Sequence, residues 1–157
     1  MSEALVGLIE HLVWADRAVI DSLKSQGNVP ARVMEILAHV LVAEQVWLKR
    51  IDKYPGNAPS VWSKLSLAEC EALAAENADA LRSLVPHIDG EGLHKTVTYV
   101  NSRGEEFENT LEDILLHVCM HGSYHRGQIA AMVRAGGGVP VNTDYIGYRR
   151  SQRGSKR

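Results

Sequence analysis

Residues 117–128 read HVCMHGSYHRGQ and place an imidazole at every fourth position: His117, His121 and His125. Imidazole nitrogen is a standard ligand for zinc and related divalent ions, and histidine is the side chain that ordinarily changes charge near neutral pH. On a helix turning about 100° per residue, an i, i+4 pair shares one face and can grip a single ion, as in helical H-E-x-x-H zinc sites. All three together cannot. A spacing of eight residues is a rise of about 12 Å, whereas each ligand nitrogen must come within about 2.1 Å of the ion.

The apolar side of this segment is marked by Leu111, Ile114, Leu115, Val118, Ile129 and Val133. Measured from Val118, His125 lies about 20° away, His121 about 60° and His117 about 100°. His125 is therefore expected to point inward, His121 to sit at the rim and His117 to face outward, so His121 and His125 form the candidate pair. A third ligand is offered by His39, set in ILAHVLVAEQVWL beside an apolar stripe where a buried imidazole needs a partner. Three histidines with one coordination position left open describe a catalytic metal site, because structural zinc normally has four protein ligands. Such a set suits zinc, nickel or iron(II) alike. The same spacing is also met in helices whose histidines are merely solvated or hydrogen-bonded, and that plainer reading stands beside the metal one. His11, His87 and His94 have no partner at ligand spacing and read as surface or loop residues. His117 reads as a surface residue, the alternative being a group that touches a ligand from outside.

Four long helices must position these groups. Helical spacing of apolar residues runs through 3–25, ended by Gly27 and Asn28, and through 30–51, where Val33, Ile36, Leu37, Val40, Ala43, Trp47 and Ile51 form an inner stripe. Residues 54–63, with Pro55, Gly56, Asn57 and Pro59, predict a loop. Ser66 and Glu69 make a capping-box pattern for a third helix that Pro86 ends. In 93–109, TVTYV followed by NSRG and EEFENT predicts a small β-hairpin. Thr110 then caps the last helix, 111–135, which stops at Gly136, Gly137 and Gly138. The expected fold is all-α, a four-helix bundle with a hairpin inserted before the last helix.

The 157 residues suffice for one core, expected over 1–148. With 17 basic and 19 acidic side chains the chain carries −2, which favours neither nucleic acid nor an anionic membrane as partner. Five of the basic groups fall in the last nine residues, RRSQRGSKR, read as a solvated, mobile tail over 149–157. Cys70 and Cys119 fit no C-x-x-C pattern, the N-terminus has no secretory pattern and no apolar run approaches about 20 residues, so a cytoplasmic protein is expected.

The blocks HVCMHGSYHRGQI and ILAHVLVAEQVWLKRI, with HLVWADRAVIDSL near the start and PVNTDYIGYRR near the end, resemble the DinB family of the DinB/YfiT-like metalloenzymes. The resemblance spans about residues 4–150, and H-G-S-Y-H-R-G-Q is its most specific part. It implies a four-helix bundle, a divalent metal held by His39, His121 and His125, and often a homodimer with helices packed across a two-fold axis. It also implies a small-molecule substrate and the chemistry of some relatives, transfer of a low-molecular-weight thiol such as bacillithiol, mycothiol or glutathione. Arg126, or an arginine or lysine near the loop, could then meet an anionic thiol. The competing readings are a metal-dependent hydrolase, for which Glu35 is the nearest carboxylate to His39 in sequence, and a non-enzymatic metal-stabilised interaction module. Apart from the resemblance, Trp14, Val42 and Val46 lie off the main stripes and predict a partner face, hence a homodimer.

Overall fold

The computed structural model describes residues 3–52, 60–87, 90–101 and 103–154. Four long helices dominate: α1 (Glu3–Lys24), α2 (Ala31–Ile51), α3 (Leu67–Leu84) and α5 (Leu111–Ala135). Shorter pieces are a 3-10 turn (Val85–His87), α4 (Gly90–Leu93), strands β1 (Thr96–Val100) and β2 (Glu106–Thr110), and α6 (Tyr145–Gln152). Each long helix follows the apolar spacing that predicts it. In α1, Leu5, Ile9, Leu12, Ala15, Val19, Ile20 and Leu23 are all buried, the i, i+3, i+4 series of one helical face.

The predicted caps are in place. Ser66 Oγ accepts from the Glu69 amide, and Glu69 Oε2 accepts from the Ser66 amide at 2.7 Å, so two otherwise unpaired donors at the start of α3 are satisfied reciprocally. Thr110 Oγ1 accepts from the Asp113 amide at 3.1 Å, which lets α5 begin directly where β2 ends. Gly137, at φ +81°, supplies the left-handed turn just beyond α5.

Around the bundle the long helices follow one another as α1, α3, α2, α5, so α2 and α5, which carry the candidate histidines, are neighbours. The core falls into two apolar clusters. One includes Leu5, Ile9, Leu12, Leu48, Leu81, Ile114, Leu115 and Val118; the other includes Val19, Ile20, Val33, Leu37, Leu41, Cys70, Ile129 and Val133. Along each long helix the boundary between them is marked by a buried polar residue: Asp16, Glu44, Asn77 and Arg126. The hairpin is antiparallel, with Thr96 opposite Thr110 and Val100 opposite Glu106, and Val97 joins the first cluster.

Several expectations need correction. Val42 and Val46 are buried within the chain, because α2 is covered by α3, α5 and β1 and so has no spare face. Trp14 packs on His11 and Tyr148, with ring centroids 5.8 and 5.2 Å away. Val42 and Val46 therefore give no ground for a partner face, while Trp14 is half-buried within the chain. His11, expected at the surface, is buried: its Nε2 lies 2.7 Å from the Thr143 carbonyl, and Tyr145 and Tyr148 flank it. Residues 149–152, expected in a mobile tail, belong to α6, which rests on α1 where a Cβ at Gly7 would lie 2.7 Å from Tyr145 Oη and Arg149 Nη1. The short α4 was not foreseen. Most of the expected 54–63 loop lies outside the described residues, whereas His94 is exposed as expected and His87 falls in the 3-10 turn.

Candidate metal centre

α2 presents His39 and α5 presents His121 and His125 to the same point. One nitrogen from each of the three lies within 4.8 Å of the others, close to the spacing that ligands of one ion require. The ring centroids of His121 and His125 are 4.4 Å apart, and those of His39 are 5.1 and 4.8 Å from them. His39 is buried, while His121 and His125 are both half-buried, so the expected inward offset of His125 over His121 is not realised.

Which nitrogens face the cluster follows from the outer hydrogen bonds. His39 Nδ1 lies 2.9 Å from the Val61 carbonyl, which can only accept, so this nitrogen carries the proton and Nε2 keeps its lone pair. His125 Nδ1 lies 2.8 Å from Gln128 Oε1, which fixes the same tautomer. Orienting acceptors of this kind are the usual companions of ligating histidines. Trp62 stacks on His39 at 4.2 Å and 16° and closes the outer side of that ring.

The electrostatics disfavour protonation of His121 and His39. Burial, then the neighbouring His125, His39 and His117, push His121 down to about 4 from 6.5. Burial also lowers His39, against the raising effect of its bond to Val61. Lone pairs are therefore available at neutral pH, the state a metal needs. The donor set, three imidazole nitrogens, fits zinc, nickel or iron(II) and provides no negative charge to offset the ion.

A sign follows for the metal-free protein. Between about pH 6.5 and about pH 4, the unfolded chain takes up a proton at His121 that the folded chain refuses. Stability is therefore complete above that window and falls as pH drops through it. Denaturant unfolding across the window, in chelator, should show this decline, and His121→Gln should flatten it. An unchanged slope in the variant would show that other groups set the acid response.

His117 is exposed, as expected, yet its ring is 5.7 Å from His121 and 5.2 Å, edge-on, from Trp47. Burial first, and the Arg50 charge second, lower its pKa. Arg126 corrects a sequence expectation. It is 3% exposed, donates to Asp16 Oδ1 at 2.8 Å and to Ser123 Oγ at 3.1 Å, and is thus committed to the core. Glu35 is engaged with Arg32 at 2.8 Å on the surface.

Sequence reasoning missed the polar layer between the apolar clusters. Asn77 Nδ2 donates to the Leu41 carbonyl and to Glu44 Oε2, while burial and then the Asp16 charge raise the Glu44 pKa well above the carboxylate range. Glu44 Oε1 finds no hydrogen-bond partner among the described residues, and burial beside the Asp16 charge favours its protonated form. The single guanidinium of Arg126 lowers the pKa of both carboxyls against the larger, raising effect of burial. The available signal was positional: Asp16, Glu44 and Arg126 each interrupt an apolar stripe. At Gly122, a Cβ would lie 2.7 Å from Arg126 Nη1 and 2.8 Å from Leu12 Cδ1, so this glycine makes room for the arginine.

Among the described residues no helix is long and apolar enough to cross a membrane. The sequence profile of the DinB family matches residues 1–157. The chain is 28% identical to Protein DinB of Bacillus subtilis (strain 168) over 166 residues, covering 92% of this chain and 93% of that protein.

Proposed function

This chain belongs to the DinB family, and from that premise we propose that it is a divalent-metal enzyme whose ion is held by His39, His121 and His125. The observation that carries the reading is the convergence of three imidazole nitrogens from two helices, with two rings turned by Val61 and Gln128 so that Nε2 is free. When bound, such an ion supplies Lewis acidity that stabilises a deprotonated thiol or water. The histidines hold the site, Trp62 shields His39, and the depressed basicity of His121 keeps it unprotonated.

Transfer of a low-molecular-weight thiol to an electrophile is the reaction we favour. The chain's own thiols are unsuited to that role: burial raises Cys70 to about 11 and Cys119 to about 12, leaving both protonated at neutral pH. The reacting sulfur must then come from outside. A hydrolytic reading finds no support in Glu35, which is engaged with Arg32, or in Glu44, which belongs to the buried layer.

The test has two stages. Protein purified without a histidine tag should contain about one divalent ion per chain by elemental analysis. Metal-loaded protein should then consume a chromogenic electrophile with one of glutathione, bacillithiol or mycothiol, and chelation should abolish the reaction. Metal uptake without thioether formation from any of the three would reject the transferase reading alone. Failure to take up any divalent ion would reject the metal centre itself.

A further inference from the structure

Arg50 stands near the candidate metal centre in an unusual setting. Its guanidinium carbon is 4.4 Å from the Trp47 ring centroid and 4.6 Å from that of Tyr99. Five other arginines, Arg17, Arg32, Arg82, Arg103 and Arg126, each have a carboxylate partner. Arg50 is half-buried and has no ion-pair partner among the described residues; its one hydrogen-bond acceptor there is the Val100 carbonyl, at 3.4 Å. A guanidinium has five N–H donors in a planar fork, so most of its donor capacity remains unused. A partly desolvated cation without an acidic partner, seated against two rings that themselves meet edge-on at 5.0 Å, is ready to receive an oxyanion.

The surroundings connect this cation to the histidines. Trp47, which bears Arg50 on one side, meets His117 at 5.2 Å, and His117 meets His121 at 5.7 Å. Tyr99 continues to Phe107, stacked at 6.1 Å and 44% exposed. A cationic group bordered by flat apolar rings thus lies one aromatic step beyond the imidazole next to the candidate ligands.

We propose that Arg50, held against Trp47 and Tyr99, binds the carboxylate or phosphate of a small molecule whose apolar body lies along the Trp47 ring toward His117 while its other end reaches the histidine cluster. The inference deepens the metal-centre reading and rests on it for the role of the bound molecule as substrate. Its recognition step is independent of the ion and can be tested without it.

The probes are benzoate and phenyl phosphate, with phenol as the neutral control. The reporter is the Trp47 indole N–H resonance, assigned by its loss in Trp47→Phe. In metal-free and metal-loaded protein alike, both anions should shift this resonance saturably and phenol should not; a preference between the anions identifies carboxylate or phosphate as the natural group. Arg50→Gln should weaken anion binding about ten-fold or more, and Arg50→Lys should restore part of it. Metal content should equal that of the parent in both variants. An unmoved Trp47 resonance, equal affinity in Arg50→Gln, or a variant that only melts earlier while binding anions normally would each overturn the proposal, the last by reducing Arg50 to a staple between α2 and the hairpin. Anion binding that depends on Arg50 in a protein unable to take up metal would retain the recognition site and reject the metal centre.

Discussion

His39→Ala, His121→Ala and His125→Ala are each expected to lower divalent-metal affinity by more than about 100-fold, whereas His117→Ala changes it by less than about ten-fold. Removing one nitrogen from a set of three leaves an ion with two protein ligands and dismantles the convergence of α2 and α5 on one point. His117 touches His121 only ring to ring and lies outside the group whose nitrogens converge. Because an ion that binds only the folded state stabilises it, a 100-fold loss of affinity removes about 2.7 kcal/mol of metal-induced stabilisation at a fixed excess of metal. Titration calorimetry and the metal-induced melting shift, read side by side for the four variants, check both statements. Full retention of affinity in His39→Ala, or loss in His117→Ala as large as in His125→Ala, would mean that the ligands are misassigned.

The second large effect belongs to the core. Arg126→Met is expected to destabilise the protein by about 3–5 kcal/mol, because Asp16 would remain buried without its cation. For a chain of this size that is a fall in melting temperature on the order of 10 °C. Arg17→Met, which removes an exposed pair with Asp21, should cost less than about 1 kcal/mol and serves as the control. Equal losses in the two variants would show that water reaches the Asp16–Arg126 pair in solution.

Helices, caps and the hairpin were legible because their causes are local. Apolar spacing marks the buried face of α1, and Ser66 with Glu69, or Thr110 with Asp113, lie within one turn of each other. The ligand candidates were legible for a mixed reason. His121 and His125 are set by helical spacing, but His39 required the assumption that α2 adjoins α5, which a periodic pattern does not contain. What stayed hidden was partnership across long stretches of chain. His11 looks like a solitary surface histidine until the Thr143 carbonyl and two tyrosines arrive from the far end of the sequence. Arg126 looks like a free cation beside a candidate ligand until Asp16 is found opposite it. Val42 and Val46 likewise appeared surplus only because periodicity shows how much of a helix is apolar, and not how many neighbours will cover it.

The polar layer also constrains how this sequence can drift. Asp16 and Arg126 balance one another across two helices, with Glu44 of a third beside them, so losing either member of the pair strands the other's charge in the interior. Replacing all three by well-packed apolar side chains could leave stability unchanged or raise it. Every one-substitution route to that end, however, passes through an intermediate with an unmatched buried group, and the deficit is a large share of the roughly 5–15 kcal/mol that holds a typical fold together. The layer can persist as a historical lock: an arrangement kept because a lineage leaving it must first descend, even where an uncharged core would serve as well. Gly122 is tied to the same lock, since a side chain there would meet Arg126 Nη1 as well as Leu12 Cδ1.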